Sequence, residues 1–470
     1  MTTTALSRAS ASPATTSDDR SIRLSIGEKH ITFLIFLYWV VYENLVFFNA
    51  RAFGGPALAI LTDGIKLALP FYLLFFTGVP SPAMIGRGRL GLYLFFFVLF
   101  LSWALVPTVI AGDPLEWLKL VPRVVFFLSV VALFSKRPAA FSLLAKCIVV
   151  YVLSALVQYI LVYWTGAYSS LLGSDKFRYM AGPFGLLGNV NSTFFLPDAP
   201  FPIVRLCGYW NEPSNASGSA FAAFFLARYL VVTGERPIWR AASYGCLAAG
   251  FLALSSAGYL ALGSAVLFGT VFGPGRLTVR RLLQGALLLP VAVALLGIVV
   301  FGRSYVAKNL SDNVWAMAIT GVRSTPRDSY DPSGGRIEDL RMTVDKIKVK
   351  SIGVGIQLVG NEGIDASGTA PIYWLLLTGI PGLVLLLSRE AVLLASARSL
   401  LRRIPTFLPL AQALIVVMAQ HLSYGSWMNP NYFIPAAMIL VYSSERSQKR
   451  LAESGYIVNN YKLRQAMQTS

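Results

Sequence analysis

The sequence predicts an all-α fold: a polytopic membrane bundle of about twelve transmembrane helices, with a large external loop between spans nine and ten. Three observations predict it, namely the composition, the number of long apolar segments and the placement of the basic residues. Of the 470 residues, 55% are hydrophobic and only 13% are charged, and the mean hydropathy is +0.61. These values exclude the soluble globular class.

Crossing the hydrocarbon core of a bilayer takes about 20 apolar residues in a helix. Twelve segments of roughly this length are apolar, and they cover residues 31–49, 56–78, 90–111, 116–135, 140–165, 214–233, 238–256, 257–273, 284–301, 370–388, 406–425 and 430–444. The sequence therefore predicts a transmembrane domain over 29–444. Residues 1–28 are Ser/Thr-rich and charged, which predicts a disordered cytoplasmic tail, and residues 445–470 form a second cytoplasmic tail.

Short cytoplasmic loops of membrane proteins carry an excess of Lys and Arg. If the amino terminus is cytoplasmic, the internal loops hold Arg87, Arg89, Lys136, Arg137, Arg236, Arg240, Arg276, Arg280, Arg281, Arg389, Arg398, Arg402 and Arg403. The short external loops hold only Arg51, Lys119 and Arg123. Both termini are therefore predicted to be cytoplasmic. The formal charge of +18 reflects this topology and an affinity for anionic membrane lipids, so no nucleic-acid partner is expected.

Two external segments, 166–213 and 302–369, are longer than a simple connection requires, and such loops are usually functional. The three cysteines fall in or beside different spans, so they imply neither a disulfide framework nor a zinc site. Function is therefore sought in the charged and aromatic residues of the two long segments.

The first long segment ends in a cation, two aromatic residues and a carboxylate directly before an apolar run. Pro213 suits the first position of a helix, which puts Glu212 near its N-cap. Glu212 is then either a carboxylate stabilised by the helix dipole or an acceptor or general base for a substrate hydroxyl. Arg205 is a candidate anion-binding residue. Tyr209 and Trp210 are either substrate contacts or aromatic anchors at the membrane interface.

The second long segment contains an amphipathic pattern over 333–347, which predicts a short helix that the glycines of 353–355 end. Arg336 falls in the first turn of this helix, where a cation opposes the helix dipole. A bound anion would offset that repulsion, since helix amides and a guanidinium converge there. The alternative is a solvated arginine paired with Asp331 or Glu338.

Three patterns recur in a fixed order on the external side: Arg205-x-x-Gly208-x-x-x-Glu212-Pro213, then Gly335-Arg336 followed by Gly353-x-Gly355, then Tyr373 to Gly382 with Thr378-Gly-Ile-Pro-Gly382. Together with the large loop between spans nine and ten, they resemble the Wzy-like polysaccharide polymerase and O-antigen ligase superfamily. The resemblance covers roughly residues 160–440, and the first part of the chain adds only compatible spans.

The resemblance implies a glycosyltransferase in the bacterial inner membrane that needs no metal or other cofactor. It implies an active face in the periplasm and undecaprenyl-pyrophosphate-linked oligosaccharides as substrates. By the same resemblance, Arg205 and Arg336 bind the pyrophosphate, and Glu212 either interacts with the acceptor or stabilises the local structure. Further candidates for substrate binding are Arg178, Arg323, Arg341, Tyr209 and Trp210. Expected partners besides membrane lipids are a chain-length regulator and the export machinery.

Ligases of this superfamily share a histidine within the large loop, whereas residues 302–369 of this chain contain no histidine. This difference favours a polymerase of exopolysaccharide, capsule or O-antigen repeat units. The alternatives are an O-antigen ligase-type transferase and a lipid-linked oligosaccharide flippase or transporter, although no internal repeat supports a carrier. Of the chain's two histidines, only His421 lies near the external side. It either faces a cavity or is a hydrogen-bonded bundle residue.

Overall fold

A computed structural model describes residues 24–43, 56–85, 88–112, 114–165, 206, 210, 213–273, 345, 351–356, 370–423 and 427–443. Over these ranges the chain is helical and contains no strand. The helices are α1 (Ile26–Glu43), α2 (Pro56–Thr77), α3 (Pro82–Ile85), α4 (Arg89–Ile110), α5 (Leu115–Leu118), α6 (Val121–Lys136), α7 (Ala139–Thr165), α8 (Pro213–Val232), α9 (Ile238–Leu252), α10 (Ser256–Phe272), α11 (Ala370–Arg403), α12 (Leu408–Ser423) and α13 (Pro430–Tyr442).

The all-helical fold is confirmed for the described ranges, and a helix lies at every predicted span except 284–301, which falls outside them. Within the described residues, six helical segments are long and apolar enough to cross a membrane: Arg89–Ile110, Leu115–Lys136, Ala139–Ile160, Ser214–Val232, Pro371–Arg403 and Pro405–Leu422. Two shorter apolar helices are Ala257–Phe272 and Pro430–Tyr442. The chain is therefore a helical protein with several helices that can span a membrane. The predicted count of twelve is not confirmed.

Contacts between helix ends place the ends of the long helices at two ends of the bundle. For example, Glu28 at the start of α1 pairs with Arg137 directly after α6. Arg398 near the end of α11 lies over the ring of Phe272 at the end of α10.

We call the end at which α1 begins the proximal end and the opposite one the distal end. At the proximal end, Lys136 Nζ of α6 donates to Thr77 O of α2 at 2.5 Å. Also at that end, Lys146 Nζ lies 2.7 Å from Glu235 Oε1 in the α8–α9 turn. The N-terminal end of α1 and the C-terminal end of α13 both lie at the proximal end.

The first described helix begins at Ile26, so the prediction that the disordered tail extends to residue 28 is wrong for its last three residues. A reciprocal capping box explains this start: the Ser25 amide donates to Glu28 Oε2 at 2.8 Å, and the Glu28 amide donates to Ser25 Oγ at 3.2 Å. Glu28 also pairs with Arg137. Burial acts to raise the pKa of the Glu28 carboxyl, but the hydrogen bonds from Ser25 and Arg137 outweigh it, so this pKa is lowered.

The last helix, α13, is the centre of the bundle. It packs against α1, α4, α6, α11 and α12, and all 13 of its residues are buried. A helix of this length rises about 20 Å, less than the roughly 30 Å of hydrocarbon in a bilayer. The turn that precedes it must therefore lie inside the bundle. Trp427 and Met428 of that turn are buried, as irregular backbone at membrane depth requires.

Candidate functional site

Most of the residues predicted for the site lie outside the part of the chain that the structure describes. They are Arg178, Arg205, Tyr209, Glu212, Arg323, Arg336 and Arg341. Trp210 is described, and so are the glycines at 353–355 and the whole of the Tyr373–Gly382 pattern. Within the helix predicted around Arg336, only Asp345 is described, and it is helical. The predicted break after that helix is confirmed, since residues 351–356 are not helical.

Two residues of the Arg205–Glu212 segment are anchored at the distal end. The Leu206 amide donates to Leu252 O at the end of α9, at 2.9 Å. The Trp210 ring is fully buried, and its centroid lies 5.6 Å from that of Tyr151 in an edge-to-face arrangement. Trp210 is therefore not an anchor at the membrane interface. It holds its segment to the bundle, and direct contact with a substrate stays a prediction.

Beside this segment, a chain of polar contacts crosses four helices in the distal half of the bundle. Gln420 Nε2 of α12 donates to Asn215 Oδ1 of α8 at 3.2 Å. Asn431 Nδ2 of α13 lies 3.5 Å from Ser219 Oγ of α8, and Asn431 Oδ1 accepts from Trp39 Nε1 of α1 at 3.0 Å. We call these five residues the polar seam. Interhelical hydrogen bonds of this kind hold membrane helices together.

Gly218 lets the polar seam form. A Cβ at this position would lie 1.9 Å from Gln420 Oε1 and 2.1 Å from Gln420 Cδ, so any side chain here would displace the Gln420 carboxamide. Because Gly218 has no side chain, Gln420 of α12 packs directly against the backbone of α8. The seam joins the first turn of α8, which follows Glu212, to the first turn of α13.

Within the described ranges, the buried polar atoms near the distal end that lack a hydrogen-bond partner include Gln158 Oε1, Gln158 Nε2 and His421 Nδ1. Each such group costs free energy when it is buried without a partner. His421 was predicted either to face a cavity or to be a hydrogen-bonded bundle residue. The structure buries it, as expected of a bundle residue, and gives its Nδ1 no hydrogen bond.

Helix α11 is broken at Gly379, within the third pattern of the resemblance. Gly379 has φ 66° and ψ −170°, a combination that is open almost only to glycine. Pro381 lies two residues further on and has no amide hydrogen, so the Leu377 carbonyl has no donor within the helix. The break therefore leaves backbone groups that must find partners elsewhere.

Residues 351–356, which we call the strap, supply these partners. The strap is the part of the predicted large external loop that contains the two glycines of the second pattern. Its three hydrogen bonds to the break run from Val354 N to Leu376 O at 3.0 Å, from Gly355 N to Leu377 O at 3.1 Å and from Ile380 N to Ser351 O at 3.4 Å. The second and third patterns of the resemblance are thus in direct contact.

Close backbone contact makes glycine necessary on both sides of this junction. A Cβ on Gly353 would lie 2.4 Å from Leu377 O, and one on Gly379 would lie 2.2 Å from Ser351 O. Gly353 also has a φ of 97°. On the other side of the strap, a Cβ on Gly355 would lie 2.8 Å from Pro107 O of α4. The strap is therefore enclosed between α4 and α11.

Deeper in the bundle, α11 carries a fully buried ion pair that the sequence analysis missed. Arg389 Nε donates to Glu390 Oε1 at 2.8 Å, and Arg389 has an exposed fraction of 0%. Arg389 also donates to Trp427 O at 2.9 Å and lies 3.2 Å from Met428 Sδ. The pair thus fastens α11 to the turn before α13.

Aromatic residues complete the surroundings of the pair. The Arg389 guanidinium lies 4.9 Å from the Phe97 ring centroid and 5.5 Å from those of Tyr93 and Tyr432, distances typical of cation–π contacts. The Tyr432 hydroxyl donates to the second carboxylate oxygen of Glu390. Both charges are therefore compensated without solvent.

Arg389 was predicted to lie in an internal loop, and that prediction is wrong. The predicted apolar span 370–388 ended at residue 388 because two charged residues, Arg389 and Glu390, follow it. In fact α11 continues to Arg403, with Glu390 as the counter-charge. The residues from 383 to 403 contain no glycine or proline, and this absence of helix breakers was the available signal for a longer helix.

Comparison of the chain with protein-family models finds no match, and comparison with curated proteins finds none either.

Proposed function

We propose that this protein is a membrane glycosyltransferase that polymerises the repeat units of an exopolysaccharide, capsule or O-antigen. One observation carries the proposal: described residues from all three patterns lie at the distal end. Leu206 bonds to the end of α9, and the strap lies between the end of α4 and the break in α11. Segments up to about 180 residues apart in the sequence thus lie at the same end of the bundle.

The proposed reaction transfers a glycan from one undecaprenyl-pyrophosphate-linked chain to another. A hydroxyl oxygen of the acceptor forms a bond with the anomeric carbon of the donor, and the bond from that carbon to the pyrophosphate oxygen breaks. Arg205 and Arg336 stabilise the negative charge on the departing undecaprenyl pyrophosphate, as preorganised guanidinium groups do most strongly in a partly dry site. The hydroxyl proton passes to Glu212 or to water.

The proposed location is the bacterial inner membrane, crossed about twelve times, with both termini in the cytoplasm and the active face in the periplasm. Basic residues at the proximal end support this orientation. They include Arg89, Lys136, Arg137, Arg236, Arg240, Arg402 and Arg403. An excess of basic residues in short loops marks the cytoplasmic side. A chain-length regulator and export machinery would then meet the protein in the same membrane.

Reporter fusions test this orientation. Alkaline phosphatase, which is active only in the periplasm, is expected to be active when fused within 166–205 and inactive when fused after residue 235 or residue 470. Green fluorescent protein at the same positions is expected to give the opposite result. An active phosphatase after residue 235 would place the proximal end outside and contradict the proposal.

The function is tested in a strain that lacks this protein, complemented with the wild type, Arg205→Ala or Arg336→Ala. Both variants are expected to accumulate single repeat units on undecaprenyl pyrophosphate and to lose at least about 99% of long polymer, because each removes a charge-assisted contact to the leaving group. Arg240→Ala is a matched control, since Arg240 is exposed at the proximal end. Its polymer is expected to equal that of the wild type.

Two other outcomes would contradict a polymerase. Full-length polymer that remains lipid-linked in the deletion strain would identify a ligase. Repeat units that remain on the cytoplasmic face would identify a flippase. If both arginine variants restore normal polymer, the assignment of the pyrophosphate to Arg205 and Arg336 is wrong.

A further inference from the structure

Two basic side chains converge on one tyrosine in the distal half of the bundle. Arg123 Nε, at the start of α6, donates to the hydroxyl of Tyr42 at 2.8 Å. The Arg123 guanidinium carbon lies 5.4 Å from the centroid of the Tyr42 ring. Lys66 Nζ of α2 lies 5.7 Å from the same centroid. We call Arg123, Lys66 and Tyr42 the flank site.

The positive charge of the flank site is only partly compensated. Lys66 Nζ lies 3.8 Å from Asp63 Oδ1, a long ion pair whose carboxylate side chain is 71% exposed. Arg123 forms no salt bridge with any side chain that the structure describes, and its hydrogen-bond partner is the hydroxyl of Tyr42. Among the side chains that the structure describes, the carboxylate of Glu116 accepts from Lys119 Nζ at 2.6 Å. Within that set, the terminal nitrogens of Arg123 have no carboxylate partner.

Arg389 provides an internal comparison. Where this chain buries an arginine completely, it places a carboxylate in contact with it and adds ring contacts from neighbouring helices. Arg123 is half-buried and has the ring contact without the carboxylate. A cation at this depth is costly unless an anion or water compensates it. The difference indicates that an anion outside the chain completes the flank site.

The position of the flank site favours a lipid as the source of that anion. Helix α2 packs mainly against α1 and α6, so it forms an outer edge of the described bundle. Further along α2, towards the proximal end, a row of large apolar side chains is exposed: Phe71, Tyr72, Phe75 and Phe76. These side chains lie on the face of α2 opposite Lys66, so they indicate that α2 borders the bilayer. A membrane lipid beside α2 is therefore the nearest source of a phosphate for Arg123 and Lys66.

We propose that Arg123 and Lys66 bind the phosphate group of a membrane lipid at the distal ends of α1 and α6. The planar guanidinium offers two terminal amino groups to the phosphate oxygens, and the ammonium adds a point charge. The phosphate belongs either to an anionic phospholipid or to the pyrophosphate of a polyprenyl donor. The second case deepens the proposed function and rests on it, because the flank site then receives the donor from the bilayer.

Binding is measured on the purified full-length protein in nanodiscs of phosphatidylcholine, by native mass spectrometry and by thermal unfolding. The added probes are undecaprenyl pyrophosphate and, separately, phosphatidylglycerol. Arg123→Gln and Lys66→Gln are each expected to weaken binding of undecaprenyl pyrophosphate about tenfold, as the loss of one charge-assisted hydrogen bond does. Arg123→Lys keeps the positive charge but lacks the forked guanidinium, so it is expected to weaken this binding less than Arg123→Gln does.

Arg398→Gln is the matched control, because Arg398 also lies over an aromatic ring, at 5.6 Å from the Phe272 centroid, but at the proximal end. It is expected to bind both probes as the wild type does. If phosphatidylglycerol binds as tightly as undecaprenyl pyrophosphate and depends equally on Arg123, the flank site is a phospholipid headgroup site. If only undecaprenyl pyrophosphate depends on Arg123, it is a donor site.

Unchanged binding of both probes to Arg123→Gln and Lys66→Gln would overturn the inference. The unfolding temperature in phosphatidylcholine alone separates this result from a folding defect, and Arg123→Lys provides a second folded variant. Because the readout is binding by purified protein, failure of the inference is distinguishable from failure of the proposed function, which is judged by polymer length in cells with Arg205 and Arg336 variants.

Discussion

Arg389→Leu is expected to destabilise the protein by about 3–5 kcal/mol, because it leaves the Glu390 carboxylate buried without its partner. Folded proteins are stable by only about 5–15 kcal/mol, so little of this variant should accumulate in the membrane. The loss also removes the hydrogen bond to Trp427 O, which holds the turn before α13. The measurement is the yield of monodisperse protein and its unfolding temperature in detergent.

The double variant Arg389→Leu/Glu390→Leu distinguishes the cost of an unpaired buried charge from the cost of altered packing. Replacing both members of a buried pair with apolar residues is often neutral, so this protein is expected to recover most of the lost stability. Lys146→Leu is a control, because the Lys146–Glu235 pair is partly exposed and such pairs contribute about 1 kcal/mol or less. A single Arg389→Leu variant as stable as the double would show that Glu390 is not an uncompensated charge.

Gly379→Ala is expected to detach the strap from α11. The alanine Cβ would meet the Ser351 carbonyl oxygen at 2.2 Å, and the backbone angles of Gly379 are strained for any L-residue by about 1–3 kcal/mol. Both effects favour a straighter helix that no longer accepts the strap. Gly353→Ala is expected to act in the same way from the other side, through its contact with Leu377 O.

Hydrogen exchange reports this detachment directly. The amides of Val354 and Gly355 donate to carbonyls of α11, so their exchange is expected to accelerate at least tenfold in Gly379→Ala. Gly263→Ala is the matched control, since a Cβ on this α10 residue meets nothing within 4 Å. It is expected to be neutral or slightly stabilising. Unchanged protection of the strap in Gly379→Ala would contradict the account of the junction.

Much of the fold could be predicted because the signals are local. Apolar length located the helices, and turns with basic residues separated several of them, as at Lys136 and Arg137 between α6 and α7. The start of α1 also depends on neighbours in the sequence, since Ser25 and Glu28 cap it reciprocally. Such features can be identified from a short window of residues.

The sites depend on partners that are distant in the sequence, and this is why they were missed. Trp39 and Asn431 of the polar seam are separated by 392 residues, and Tyr93 and Tyr432 beside the ion pair by 339. The glycines at 353, 355 and 379 were identified as a pattern, but the close approach of two backbones that requires them is visible only in three dimensions. Arg123 was counted as a loop cation because nothing local indicates Tyr42 beside it.

The buried position of α13 has a consequence for biosynthesis. The ribosome delivers this helix last of those described, yet five helices that begin between residues 26 and 408 pack around it. The earlier helices must therefore enter the bilayer and wait, incompletely packed, until the chain is nearly finished. The bundle closes only when α13 is inserted among them. A nascent chain that stops before residue 430 would thus expose an unfilled centre, and quality-control proteases would encounter it in that form.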